Sequence, residues 1–413
     1  MNDAFTQDSH RFHYAWVILA VGTVVVFAAL GLARFGYTML LPAMQSGLEI
    51  SNTQTGGLAT SNLVGYLLLS VVGGALAARF GPREVITVGL LTAAVGMLLT
   101  GLAGGMFSAA LWRGVTGIGS GASNVPVMAL LGAWFVRRRR GLAAGIGVTG
   151  SSFALIALGP LVPRLLSSYG DNGWRVCWFV FAGATFIIAL LALFTLRDHP
   201  SDMGLSPLGG GQAAEVRGPA AGLLAWGKVY RSGTIWHLGM IYVAFGFSYI
   251  IYLTFYTKYL VSEGGYTSMA AGRLFMLMGW LSLLCGVIWG AISDRFGRKH
   301  TLVAVYLLHT LAFGLFAVVP TPIGFTVSTV IFGLSAWSIP AIIAATCADI
   351  LGSRLAPAGL GFVTLFFGIG QAVAPSIAGG IADATQSFSP AFILAAGVAF
   401  LGAVGSVFLR ESS

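Results

Sequence analysis

Apolar runs of membrane-crossing length alternate with short polar loops from one end of the chain to the other. A helix satisfies its backbone polar groups internally, and about 20 apolar residues of helix cross the roughly 30 Å of hydrocarbon in a bilayer. The runs fall at residues 14–40, 55–77, 85–102, 108–135, 142–165, 174–196, 235–260, 267–292, 301–319, 323–348, 358–381 and 390–409. They predict an all-α polytopic membrane protein with twelve transmembrane helices. The first run is longer than a signal-peptide core and lacks a small-residue cleavage site after it, so it is expected to stay in the protein.

The polar loops are not equivalent. Arg11, Arg79, Arg83, Arg137, Arg138, Arg139, Arg140, Arg197, Arg217, Lys228, Arg231, Arg295, Arg298, Lys299, Arg354 and Arg410 all fall on the side of the amino terminus. Basic residues flanking spans stay in the cytoplasm, so both termini are expected there. The polar stretch 198–232, rich in Pro, Gly and Ser, reads as a cytoplasmic linker between two six-helix halves, 1–197 and 233–413.

Composition agrees: hydrophobic residues make up 57% and charged residues 8% of the 413, against about 25% charge in a soluble domain. The net charge of +9 sits in scattered short loops, with 137–140 the only basic run, so no nucleic-acid partner is expected. Cys177, Cys285 and Cys347 have no metal-ligand or redox spacing and read as packing residues. No phosphate-binding glycine loop and no His/Cys/Asp cluster is present, so the chain reads as neither an enzyme nor a holder of a metal or cofactor.

A ten-residue loop pattern recurs at matching places. Gly74-Ala-Leu-Ala-Ala-Arg79-Phe-Gly81-Pro-Arg83 follows the second run, and Gly290-Ala-Ile-Ser-Asp294-Arg295-Phe-Gly297-Arg298-Lys299 follows the eighth. The second copy resembles in full the Gly-x-x-x-Asp-Arg-x-Gly-Arg-Arg/Lys loop signature of the major facilitator superfamily; the first places Ala78 where the acid belongs and Pro82 before Arg83. Arg113-Gly-Val-Thr-Gly117-Ile-Gly119 resembles that family's arginine-glycine signature. Gly145, Gly150, Gly159 and Pro160 are similar to an antiporter pattern that Leu161 and Val162 do not continue, and Gly368, Gly370, Pro375, Gly379 and Gly380 are their counterparts in the eleventh run. The stretch Gly31-Leu-Ala-Arg34-Phe-Gly-Tyr37 is similar to a bacterial permease group. The resemblance implies two halves rocking around a central cavity in a bacterial cytoplasmic membrane, with the protein working as a monomer. Arg79, Arg83, Asp294, Arg295 and Arg298 are then the expected gating residues, with Asp294 and Arg295 holding the cytoplasmic side closed.

Charge inside the spans points to the cargo. All 13 acids map to loops or span edges, whereas Arg34, Arg113, Lys258 and Arg273 lie within runs. Intramembrane charges are expensive and mark functional sites, and a guanidinium grips a carboxylate through two parallel hydrogen bonds. The expected substrate is a small organic anion, with a monocarboxylate as the leading case and protons as the candidate coupling ion in symport or antiport. Arg34 with Tyr37 and Asn62 with Tyr66 share helix faces at spacings of three and four. Arg113, Asn124, Tyr249, Tyr252, Tyr256, Lys258, Arg273, Trp337 and Gln371 complete the expected binding set, beside membrane lipids as partners. His309 is the other mid-span group that titrates near neutrality. The alternatives are an exporter of amphipathic drugs or metabolites and a non-transporting receptor or scaffold.

Overall fold

The computed structural model describes residues 13–209, 227 and 229–409. It is all-α. In chain order the helices are α1 (Ala15–Leu48), α2 (Asn52–Phe80), α3 (Pro82–Gly101), α4 (Met106–Trp134), α5 (Arg137–Tyr169), α6 (Gly173–Thr195), α7 (Gly233–Ser262), α8 (Ser268–Ser282), α9 (Cys285–Phe296), α10 (Arg298–Val318), α11 (Pro322–Gly352), α12 (Ala358–Thr385) and α13 (Ser389–Val407). Eight helical stretches among the described residues are long and apolar enough to cross a membrane, or ten if each of two bent pairs is one span.

Local chemistry sets the helix ends. Ser51 begins α2 with a capping box, its hydroxyl accepting from the Gln54 N–H while the Gln54 side chain accepts from Ser51, which satisfies two otherwise orphaned donors. The 58-residue stretch Arg138–Thr195 is α5 and α6 joined at the short turn Gly170–Asn172, where Gly170 takes φ +52, a conformation glycine adopts without a Cβ clash.

Two departures from the sequence expectation affect the site. The first predicted run continues to Leu48, and its centre, Phe27–Phe35, is π-helical. The eighth run is two helices, α8 and α9, bent by 42°. The stretch 198–232 is described only in part. There Pro200–Met203 forms a 3-10 turn, and Leu208 exchanges backbone hydrogen bonds with Trp134 and Val136, holding the chain beneath α4. Arg11, Arg217, Lys228 and Arg410 lie outside the described residues.

Helices α1–α6 and helices α7–α13 meet chiefly through α2 with α12, α5 with α8 and α1 with α7. These contacts gather at one end. There the Asp383 carboxylate accepts from the Asn52 N–H at 3.0 Å, the Thr53 N–H at 2.8 Å and the Thr53 hydroxyl at 2.6 Å. Deeper, the Thr60 hydroxyl donates to the Ala372 carbonyl at 2.7 Å. A Cβ on Gly159 would stand 2.5 Å from the Gly272 carbonyl oxygen, so glycine alone lets α5 and α8 approach this closely. Toward the other end, the hydrogen bonds and glycine contacts between the two sets among the described residues reach no further than Ser152 with Ser282 and Leu67 with Gly368. The molecule is sealed at one end and open at the end that carries the arginine-rich loops.

Candidate functional site

Beneath the seal lies a small cavity lined by Arg34, Phe35, Tyr37 and Thr38 of α1, Ala59, Asn62 and Leu63 of α2, Arg113 of α4, and Ile250, Leu253 and Thr254 of α7. Arg34 and Arg113 are the only Asp, Glu, Lys or Arg side chains buried among the described residues. No carboxylate lines the cavity.

The two guanidiniums are held differently. Arg34, 8% exposed, stands over the Tyr66 ring with its central carbon 4.2 Å from the centroid, and its Nε and Nη2 are buried without a hydrogen-bond partner. Those two nitrogens form the edge of a guanidinium that meets both oxygens of a carboxylate at once. Arg113 is 1% exposed. Its Nη1 donates to the Ala33 carbonyl at 2.7 Å, and it lies 4.8 Å from the Tyr37 ring centroid and 5.0 Å from that of Trp178. Its Nε has no partner.

The surrounding polar groups fix these two. Asn62 donates to the Arg113 backbone carbonyl at 3.1 Å, Asn124 donates to the Tyr66 hydroxyl at 3.0 Å, and the Tyr37 hydroxyl donates to the Thr55 carbonyl at 2.8 Å. The rings of Tyr37 and Tyr66 therefore face the cations while their hydroxyls are engaged elsewhere. The sequence spacing pairs Arg34 with Tyr37, but the structure crosses the pairs, Arg34 with Tyr66 and Arg113 with Tyr37. The π-helical segment supplies the reason: each π turn takes an extra residue, so positions beyond it rotate off the face that 3.6-residue periodicity assigns.

The carboxyl-terminal helices contribute the neutral lining residues Ile250, Leu253 and Thr254, with aromatic and amide side chains packed around them. Tyr249 stacks on Phe245 with centroids 4.6 Å apart, accepts a hydrogen bond from Gln371 and presents its edge to Trp337. Trp337 sits at an irregularity in α11, stacks on Phe35 at 5.6 Å and donates to the Ser152 hydroxyl at 3.1 Å, so it spans both sets of helices. Of the thirteen expected binding residues, Arg34, Tyr37, Asn62 and Arg113 line the cavity; Tyr66, Asn124, Tyr249, Trp337 and Gln371 pack outside the lining, and Tyr252, Tyr256, Lys258 and Arg273 do not line it either. The Tyr252 hydroxyl pairs with Ser328 at 2.9 Å and the Tyr256 hydroxyl with Thr329 at 2.5 Å, inside the packing of α7 against α11; a buried hydroxyl takes the nearest partner, here a hydroxyl on the adjacent helix. Lys258 is half-buried four residues from the end of α7 and Arg273 is exposed, as expected when long cations reach toward water. His309 is enclosed by Phe245, Phe313 and Phe332, with Nε2 3.3 Å from the Ser335 carbonyl, and does not line the cavity.

The expected gating set is also rearranged. Arg298 bonds Asp294 at 2.5 Å and Asp349 at 2.9 Å, which ties α9, α10 and α11 within one set of helices at the open end. Arg79 and Arg295 are exposed beside Phe80 and Phe296. The Asp294 pair therefore does not bridge the two sets in this conformation, as a latch across the cytoplasmic side would require. In the first copy, where Ala78 replaces the acid, Asp198 accepts from the Arg83 N–H at 2.7 Å, placing a carboxylate at the positive start of α3.

Sequence reasoning missed the apolar lining, Asp198 as a substitute acid and Asp383 as a clasp. Both acids act on backbone N–H groups, which carry no side-chain signature.

The profile of the Major Facilitator Superfamily matches residues 23–356 and 262–413. The chain belongs to this superfamily. It is accordingly a transporter of small molecules and not an enzyme. Among its relatives, the Probable sulfoacetate transporter SauU of Cupriavidus necator is 26% identical over 95% of this chain and 93% of that protein. Monocarboxylate transporter 13 of Bos taurus is 26% identical over 79% of this chain and 73% of that protein. The crystal structure of a bacterial homolog of the human lysosomal transporter Spinster, inward-facing and unoccupied, superposes with a TM-score of 0.77 at 18% identity, covering 98% of this chain and 100% of that one; at that identity the likeness concerns the fold.

Proposed function

We propose that the protein carries a small organic anion across the bacterial cytoplasmic membrane by alternating access, with Arg34 as the anchor for a carboxylate. The observation that supports this reading is the free Nε and Nη2 edge of a buried guanidinium in a cavity without an acid. An unpaired buried ion costs several kcal/mol even after relaxation, and an arriving carboxylate offsets that cost while gaining two charge-assisted hydrogen bonds. The relatives above are named for sulfoacetate and for monocarboxylates, and both contain a carboxylate. An amphipathic cation would meet two like charges in the same cavity, which weighs against a cationic drug as cargo.

The domain reading is twelve crossings in two halves, 1–197 and 233–413, joined by 198–232. Beyond the ten candidate spans, α5 and α6 divide one long stretch into two crossings, and α4, at 29 residues, is about 44 Å long. With the arginine-rich loops in the cytoplasm, the open end faces inward and the clasp of Asp383 closes the outer side. Coupling to protons would then ride on the substrate's own carboxyl group or on the charge balance around Arg34 and Arg113, because no carboxylate lines the cavity.

Uptake of radiolabelled carboxylates by proteoliposomes tests the reading. Wild type is expected to accumulate or exchange the acid, and Arg34→Gln to weaken binding by about 30-fold or more at preserved folding. Binding within twofold of wild type would remove Arg34 as the anchor. Transport of lipophilic cations in place of acids would remove the substrate class.

A further inference from the structure

The cavity holds more positive charge than one carboxylate neutralises. Arg34 and Arg113 both line it, they lie close enough for each to sit in the other's electrostatic field, and a guanidinium does not give up its proton in a protein. The other lining residues are Phe, Tyr, Thr, Ala, Asn, Leu and Ile, none of them a source of negative charge. Rings over a cation lower its energy without cancelling its charge. A bound monoanion therefore leaves one net positive charge to be enclosed each time both ends close. Two negative charges on one molecule leave none.

The free donors are duplicated in the same way. Arg34 keeps Nε and Nη2 unpaired, and Arg113, with Nη1 already spent on the Ala33 carbonyl, keeps Nε unpaired. Asn62 and the rings of Tyr37 and Trp178 hold Arg113 in place, so it presents a fixed charge and one donor where Arg34 presents a fork. We propose that the substrate is a small dianion, a dicarboxylate or a sulfocarboxylate of a few carbons, with one anionic group forked on Arg34 and the other neutralised by Arg113. This rests on the anion reading above and narrows it away from monocarboxylates.

The test is a thermal-shift titration of the purified full chain with acids of matched length at constant ionic strength, since a ligand of the folded state raises its melting temperature. Malonate, succinate and sulfoacetate are expected to reach half-saturation at concentrations about tenfold or more below those of propionate and butyrate. The succinate value is expected to rise between about pH 7 and about pH 4.5 as the dianion becomes protonated. Arg113→Gln is expected to bring the dianion-to-monoanion ratio close to one. Should that variant not fold, Arg113→Lys, which keeps the charge, is expected to keep the preference, and the wild-type series decides by itself. Equal or tighter binding of the monoanions to wild type, or an undiminished ratio in folded Arg113→Gln, overturns the dianion assignment while leaving an anion carrier. Stabilisation by lipophilic cations with none by any acid overturns the anion reading itself.

Discussion

The amino-terminal and carboxyl-terminal helices wall the same cavity with opposite chemistry. On the first side, Arg34 and Arg113 retain three buried nitrogens without partners. On the second, Ile250, Leu253 and Thr254 line it, and the tyrosines packed behind them find partners inside the protein: Tyr249 accepts from Gln371, Tyr252 pairs with Ser328, Tyr256 with Thr329 and Tyr306 with the Ile241 carbonyl. A buried polar group that finds its partner inside the protein stabilises packing, while one left unpaired at a cavity is held in readiness for something that arrives. The contrast assigns affinity to the amino-terminal wall and shape to the carboxyl-terminal one.

The largest effect should come from the unpaired side. Removing one partner of a buried, hydrogen-bonded charge pair costs about 2–5 kcal/mol, so Arg34→Gln should lower substrate affinity by about 30-fold or more, while Arg34→Lys retains charge but loses the fork and should fall between. Isothermal titration on folded protein measures both. An Arg34→Lys variant as tight as wild type would show that charge, without the forked geometry, is what the amino-terminal wall contributes.

The two sets touch most firmly at Asp383, where a carboxylate from α12 collects three donors from the start of α2. Hydrogen bonds to a charged group contribute about 1.5–3 kcal/mol, although Asp383 is near the surface and solvent screening reduces this. Asp383→Asn should therefore raise exposure of the sealed side by up to about tenfold. Labelling a cysteine introduced at position 60 with a membrane-impermeant maleimide from that side reads the change. Labelling at the wild-type rate would mean that the glycine contacts of α5 with α8 seal the molecule without the clasp.

A smaller effect is expected on the paired side. Tyr249→Phe deletes the hydroxyl that accepts from Gln371 and interacts with the Arg34 guanidinium, and keeps the ring stack on Phe245, a change of about 1 to 1.5 kcal/mol or roughly five- to tenfold in affinity. A loss as large as that of Arg34→Gln would erase the division between an affinity wall and a shape wall, because it would place Tyr249 among the anchors.

Much of this contrast was legible in the sequence because charge is conspicuous against an apolar background. The placement of every acid at a loop or span edge pointed to an anionic cargo, and Arg34, Tyr37, Asn62 and Arg113, read from the sequence, all line the cavity. Pairing was not legible. The π-helical stretch Phe27–Phe35 changes the angular step between residues, and an apolar sequence such as this one carries no mark of it, so Arg34 and Tyr37 reach the same cavity but stack with partners on other helices, Arg34 with Tyr66 and Tyr37 with Arg113. Tyr252 and Tyr256 failed for a different reason: a tyrosine in a span reads the same whether it meets a cavity or a hydroxyl on the next helix. Asp383 and Asp198 were placed at edges, but their backbone partners lie 330 and 115 residues away, beyond any local pattern.

The smallest effect tests the contrast at the two matching loops. In the carboxyl-terminal copy Asp294 is 70% exposed and Asp349 47% exposed around Arg298, and exposed ion pairs contribute about 1 kcal/mol or less. In the amino-terminal copy Asp198 accepts from the Arg83 N–H beside Gly81, whose φ is +91, and a carboxylate that satisfies a helix-start donor contributes about 0.5–2 kcal/mol. Asp294→Asn should therefore lower the melting temperature less than Asp198→Ala, and neither should alter the affinity measured at Arg34, since both loops lie at the open end away from the cavity. Turnover of Asp294→Asn in proteoliposomes adds the dynamic half of the comparison. The two sets of helices must approach at the open end during a cycle, and Asp294 is bound to Arg298 within its own set before they do. A turnover reduced severalfold at unchanged affinity would show that Asp294 gains a partner across the seam only when that end closes. Wild-type turnover would leave it as a tie between α9 and α10 and reduce the loop signature to a local structural role.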